Sequence, residues 1–124
     1  MAGSKGSKYY DVFLNYKIWF SYRDELVLDE TLIAILQGID KSGSLMTASK
    51  ELKISYRKAW GDLKKAENTL GLTFTEKIRG GKSGGKSILT DEGRNIINAY
   101  NELKSDFGDS ISRVTKKFFN TINK

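Results

Sequence analysis

Neither cysteine nor histidine occurs among the 124 residues. Without thiolate or imidazole there is no Cys/His zinc site, no cysteine nucleophile, no imidazole general base and no histidine-containing triad, which removes most mechanisms open to a small enzyme. The missing cysteines also exclude a disulfide framework, in keeping with a reducing compartment, so the cytoplasm is the expected location. Long apolar runs are absent too. The longest, Leu32 to Leu36, has five residues, where a membrane-spanning helix needs about 20. The opening MAGSKGSK lacks the apolar stretch of a signal peptide, and residues 1–11 read as a flexible tail.

What is present suits one modest core, with 39% hydrophobic residues. Lysine and arginine number 21 against 15 acidic residues, a net charge of +6. That excess is local: from Lys53 to Lys86 nine cations face three anions, and the remainder is neutral. A basic block of this kind points to a polyanionic partner, nucleic acid first.

The periodicity changes along the chain. Residues 12–20, VFLNYKIWF, alternate with period two and predict a strand, which the turn-like SYRDE and the apolar LVLD extend into a hairpin. From Thr31 the spacing of Leu32, Ile35, Leu36 and Ile39 is helical. Ser44 is placed to cap a second, short helix carrying Leu45, Ala48 and Leu52 on one face. Ser55 is placed to cap a third, in which Tyr56, Ala59, Trp60, Leu63, Glu67 and Leu70 share a sector before Gly71 ends it. That sector assigns Tyr56 and Trp60 chiefly to packing. LTFTEKI and SILT then flank GGKSGG, which predicts a second hairpin with a basic tip.

Thr90 can cap a last helix with Asp91 and Glu92 in its first turn, where the helix dipole favours anions. Its apolar stripe is Ile96, Tyr100, Leu103, Phe107, Ile111, Val114 and Phe118, with Gly108 a place for a bend or break. One helix from Asp91 to Phe119 would run about 43 Å, more than a small domain is wide. The overhang calls for a partner, and a homodimer through Tyr100, Leu103, Phe107, Ile111, Val114 and Phe118 is the expected solution.

Residues 80–87, GGKSGGKS, fit the phosphate-binding pattern G-x-x-x-x-G-K-[ST]. That mechanism needs a helix opening directly at the lysine. Lys86 instead opens Ser87-Ile88-Leu89-Thr90, a β-like run, so the segment reads as a hairpin tip. No catalytic or metal-binding residue and no cofactor is expected.

Helix, tight turn, helix and basic hairpin together predict an α+β fold, a winged helix-turn-helix over 12–90, with an N-terminal β-hairpin and a long dimerisation helix over 91–122. The third helix, 55–70, would enter the major groove, with Arg57, Lys58, Gly61, Asp62 and Lys65 opposite its apolar face. The wing, 79–87, would meet phosphates through Arg79, Lys82 and Lys86.

GIDKSGSLMTASKELKISYRKAW and LTFTEKIRGGKSGGKSILTDEG resemble the DNA-binding half of the molybdate-responsive ModE regulators, a ModE-like, LysR-type winged helix. The likeness runs roughly from Leu32 to Tyr100 and rests on the SGSL turn, ISYRKAW, the Gly/Lys-rich wing and LTDEG. It implies a dimeric transcriptional regulator on double-stranded DNA, with recognition helix at Ser55 to Lys65 and wing at Gly80 to Lys86. The expected contacts are Ser44, Ser55, Tyr56, Arg57, Lys58, Gly61, Lys65, Arg79, Lys82 and Lys86. Members of that family usually continue into an oxyanion-binding domain; no length for one remains here, so a stand-alone DNA-binding member, or one signalled by another protein or ligand, is expected. The alternative is a winged-helix interaction or architectural module. Nine cations against three anions around helix and wing separate the two, since an interaction module has no need of them.

Overall fold

The computed structural model describes residues 8–79 and 85–123. Its elements follow the order β1 (Phe20–Tyr22), β2 (Glu25–Leu28), α1 (Glu30–Ser42), α2 (Leu45–Glu51), α3 (Tyr56–Leu70), β3 (Thr75–Ile78), β4 (Lys86–Leu89) and α4 (Asp91–Ile122). Packing divides the chain into a unit of Ile18–Tyr100 and a second made of the residues up to Lys17 with those from Asn101 onward. No helix among the described residues is long and apolar enough to cross a membrane.

The first unit is a winged helix-turn-helix. Its first hairpin is shorter than the alternation in residues 12–20 predicts: β1 starts only at Phe20, and before it the described chain holds no more than an isolated bridge at Phe13. Alternation makes a segment competent for a strand, but a strand needs a partner, and β2 is four residues long. Arg23 and Asp24 turn the chain with φ of 50° and 66°, the left-handed pair whose twist matches an antiparallel hairpin.

Each helix begins on a side-chain cap. Asp29 accepts from Leu32 N at 3.0 Å, Ser44 from Thr47 N at 3.1 Å and Ser55 from Lys58 N at 3.0 Å. Such caps supply acceptors for amides that have no helical partner, each contributing about 1 kcal/mol. Gly43 and Gly71 close α1 and α3 in the left-handed region, at φ 75° and 68°. Between α1 and α2 the approach is close enough that a Cβ on Gly38 would lie 2.7 Å from that of Ala48.

The core gathers Leu32, Ile35, Leu36 and Ile39 of α1, Ala48 of α2, Ala59, Leu63 and Ala66 of α3, then Phe74, Leu89, Ile97 and Tyr100. The opening turns of α4 therefore complete this unit. Ile97 is buried and Ile96 only partly so, a rotation from the apolar stripe read in the sequence. Tyr100 is buried and its hydroxyl donates to the Ile18 carbonyl at 2.9 Å. Its expected place in a dimer interface would add little burial, because the ring is already out of water in the single chain.

α4 runs unbroken from Asp91 to Ile122, so Gly108 does not end it. In the second unit a Cβ at Gly108 would stand 3.6 Å from the Tyr16 hydroxyl, and Phe119 is buried with its ring 6.2 Å from that of Tyr9.

Candidate nucleic-acid interface

On α3 the buried side chains are Ala59, Leu63, Ala66 and Glu67, all on one side at 100° per residue. Arg57, Lys58 and Lys65 are exposed on other sides, as expected, and Gly61 is half-buried. Their charges are not equally available. Lys58 Nζ lies 3.1 Å from Asp62 Oδ2 and Lys65 Nζ 3.5 Å from Glu25 Oε2, whereas no ion pair involves Arg57 among the described residues. The two exposed pairs are worth at most about 1 kcal/mol each, so either lysine can exchange its carboxylate for a phosphate at little cost. A Cβ on Gly61 would meet nothing within 4 Å, so the chain's own packing does not require glycine there.

Ser44 and Ser55 spend their side chains as caps of α2 and α3. Tyr56 and Trp60 are a correction. Expected chiefly to pack, they are 43% and 48% exposed. Tyr56 is the first residue of α3 and Trp60 stands at the edge of its buried sector, so the core covers neither ring.

The wing follows the predicted hairpin, with Thr75 opposite Leu89, Glu76 opposite Ile88, Lys77 opposite Ser87 and Ile78 opposite Lys86. Arg79 and Lys86 are exposed at its ends. Lys82 and the rest of residues 80–84 lie outside the described residues. Lys86 and Ser87 sit in a strand, so the helix that a phosphate-binding loop requires does not follow the lysine.

Two latches fix this hairpin to the helices. Ser87 N donates to the Gly43 carbonyl at 2.8 Å, tying β4 to the α1–α2 turn. Glu67 Oε2 accepts from Phe74 N at 2.8 Å and Thr75 N at 3.4 Å, while Lys64 Nζ stands 3.2 Å from Oε1. The helical spacing put Glu67 in the apolar sector of α3, and an acid there was the available sign of a buried polar role. Glu67→Ala should destabilise the fold by about 1–3 kcal/mol, because two amides lose their acceptor. Urea unfolding would measure it, and a midpoint equal to wild type would mean that water replaces the latch without loss.

Between these elements lies a groove of about 780 Å³ whose lining includes Ser44, Met46, Tyr56, Trp60, Lys64, Lys77, Arg79 and Ser87. Met46, Trp60, Lys64 and Lys77 were not among the residues expected at the site. Trp60 closes ISYRKAW but was read as a packing residue, and only the folded hairpin brings Lys77 beside α3. In the second unit a separate apolar groove of about 320 Å³ is lined by Val12, Phe13, Leu14, Val114, Thr115, Phe118 and Phe119. Phe107, Val114 and Phe118 are each about half exposed, while Leu103 and Ile111 are partly buried.

No protein-family model matches the chain. Among curated proteins it is 30% identical over 90 residues to the molybdenum transport protein ModE of Azotobacter vinelandii, covering 73% of this chain and 33% of that protein. With the molybdenum-pterin-binding protein MopB of Rhodobacter capsulatus it shares 31% over 84 residues, 68% of this chain and 31% of the other. With the DNA-binding transcriptional dual regulator ModE of Escherichia coli K12 it shares 28% over 101 residues, 82% and 36% of the two chains. The chain thus spans about a third of the length of these relatives.

Among solved structures, the DNA-binding domain of CbnR in its DNA complex superposes with a TM-score of 0.53 at 18% identity, covering 71% of this chain and 95% of that one. The BenM DNA-binding domain on its catB site superposes equally, at 18% identity over 71% and 92% of the two chains. At such identities these likenesses establish the fold alone. Over about three quarters of its length the chain is therefore homologous to the ModE-type regulators, and it folds as a winged helix-turn-helix.

Proposed function

We propose that the chain is a DNA-binding transcriptional regulator, acting as a homodimer on a (pseudo)palindromic operator, with α3 in the major groove and the wing on phosphates. The observation that carries this reading is the exposed Arg57 in the first turn of α3, in no ion pair among the described residues, beside a cationic hairpin latched at both strands. Arginine at that place has the fork geometry for guanine O6 and N7. Arg79 and Lys86 add sequence-blind contacts along the backbone, which fix register. The relatives named as DNA-binding regulators support the same reading.

Selection of bound sequences from a random duplex pool tests it, reporting specificity and half-site symmetry together. Arg57→Ala should then cost about 1–3 kcal/mol and relax one position per half-site, while Lys86→Ala weakens all sequences alike by about one unit of salt slope per protomer. Equal, uniform losses from both variants would take base reading away from α3.

The dimer is assigned to the second unit, where Phe107, Val114 and Phe118 of α4 are half exposed beside the Val12–Leu14 groove. Each buried aromatic there is worth roughly 1.5–3 kcal/mol. Phe118→Asp should give a folded monomer by light scattering, with weaker operator binding because the two half-sites are no longer linked. A variant still dimeric at micromolar concentration would move the interface elsewhere.

A further inference from the structure

We propose that Trp60, with Tyr56 and Met46, reads thymine, the three side chains meeting the C5 methyl groups that thymines present in the major groove. The inference rests on the duplex-binding reading above and adds a specificity to it, since neither phosphate contacts nor the Arg57 fork favours an A·T pair.

Met46, Tyr56 and Trp60 are 51%, 43% and 48% exposed and line the same groove. On α3, Trp60 stands about 40° from Tyr56 and about 60° from Arg57 around the axis, on a flank shared with Lys64. Large apolar side chains grouped on a surface mark a place where something apolar is to be covered. Here the rings sit among Lys64, Lys77 and Arg79, so what covers them belongs to a polyanion. A duplex offers apolar surface in two forms. The deoxyribose carbons follow the backbone whatever the sequence, and the thymine methyl is the apolar group on a base edge in the major groove. Tyr56 is the first residue of α3, in the turn that approaches base edges in helix-turn-helix proteins, and Trp60 comes one turn later on the same flank. That position favours the methyl over the sugar.

The test uses the full chain and a duplex recovered from the pool selection, with each thymine replaced in turn by deoxyuridine, which removes the methyl and keeps the hydrogen-bonding edges. One or two positions per half-site should lose affinity about fourfold each, the worth of one buried methyl. In Trp60→Ala those same replacements should become neutral, whereas in Arg57→Ala they should keep their effect. The Trp60 side chain is half exposed, so the variant should fold, and its melting curve checks this. If uracil is neutral at every position for the unaltered chain, the inference is overturned without any variant. It is equally overturned if Trp60→Ala weakens thymine and uracil duplexes alike, which would put the ring against deoxyribose. Measurable duplex binding without a thymine effect leaves the DNA-binding reading standing, while no binding to any duplex removes both.

Discussion

Raising the salt concentration from about 50 to 200 mM should weaken duplex binding roughly a thousandfold or more. Each phosphate neutralised by a lysine or arginine releases condensed counterions, contributing about −0.9 to the slope of log K against log salt. With three or four cations engaged per protomer, a dimer would give a slope of roughly −5 to −7. Arg57, Arg79 and Lys86 are the candidates exposed and without an ion pair among the described residues. Lys58 and Lys65 must first leave Asp62 and Glu25, and those surface pairs themselves weaken as salt rises. Filter binding or fluorescence anisotropy over that range measures the slope. A flat response would sink the DNA reading, because few other contacts could hold a duplex to this surface.

Gly93→Ala should be as damaging to the fold as salt is to binding. A Cβ at that position would stand 2.3 Å from the Phe74 carbonyl oxygen and 3.2 Å from its carbon, so the obstacle is backbone. Relief would require the first turn of α4 to retreat from the segment leading into β3. That segment is held from several sides. Thr90 N donates to the Phe74 carbonyl at 2.9 Å, the Thr90 hydroxyl donates to the Thr73 carbonyl and also caps Gly93 N, and the Phe74 side chain is fully buried. Overpacking a core typically costs about 1–3 kcal/mol, and loss of these bonds should carry the total to the top of that range or past it. In a domain of this size each kcal/mol lowers the melting temperature by about 4–8 °C. Gly61→Ala is the contrast, since a Cβ there meets nothing within 4 Å and should stabilise the helix by about 1 kcal/mol. Calorimetry that found the two alanine variants equally stable would refute the close contact at Gly93.

Much of the local order was legible in the residues. Ser44, Ser55, Thr90, Gly43 and Gly71 stand at helix ends, where hydroxyl acceptors and left-handed glycine satisfy amides and carbonyls that the helix itself leaves unpaired. They act through neighbours three or four residues away, so the sequence suffices to find them. The helical spacing of Leu32, Leu36 and Ile39 and the β-like runs around the wing are equally local. So was the failure of GGKSGGKS as a phosphate loop, since it depended only on the β-like residues directly after Lys86. The basic block from Lys53 to Lys86, and with it the expectation of a polyanionic partner, needed no coordinates.

Tertiary structure decided what depends on residues far apart in the chain. The alternation in 12–20 carried no information about how few residues β2 would offer for pairing, so most of that strand did not form. Tyr56 and Trp60 satisfied the apolar sector of α3, yet no other segment of the first unit covers either ring, and both line the groove beside the wing. Tyr100 lay on the stripe of α4 but found Ile18, 82 residues away, and is buried within its own unit. Glu67 became a latch because Phe74 N and Thr75 N arrive beside it, and Gly93 has no room for a side chain because the Phe74 carbonyl passes where its Cβ would be. Periodicity fixes which way a side chain points from its own helix or strand, whereas burial depends on what another segment brings to meet it.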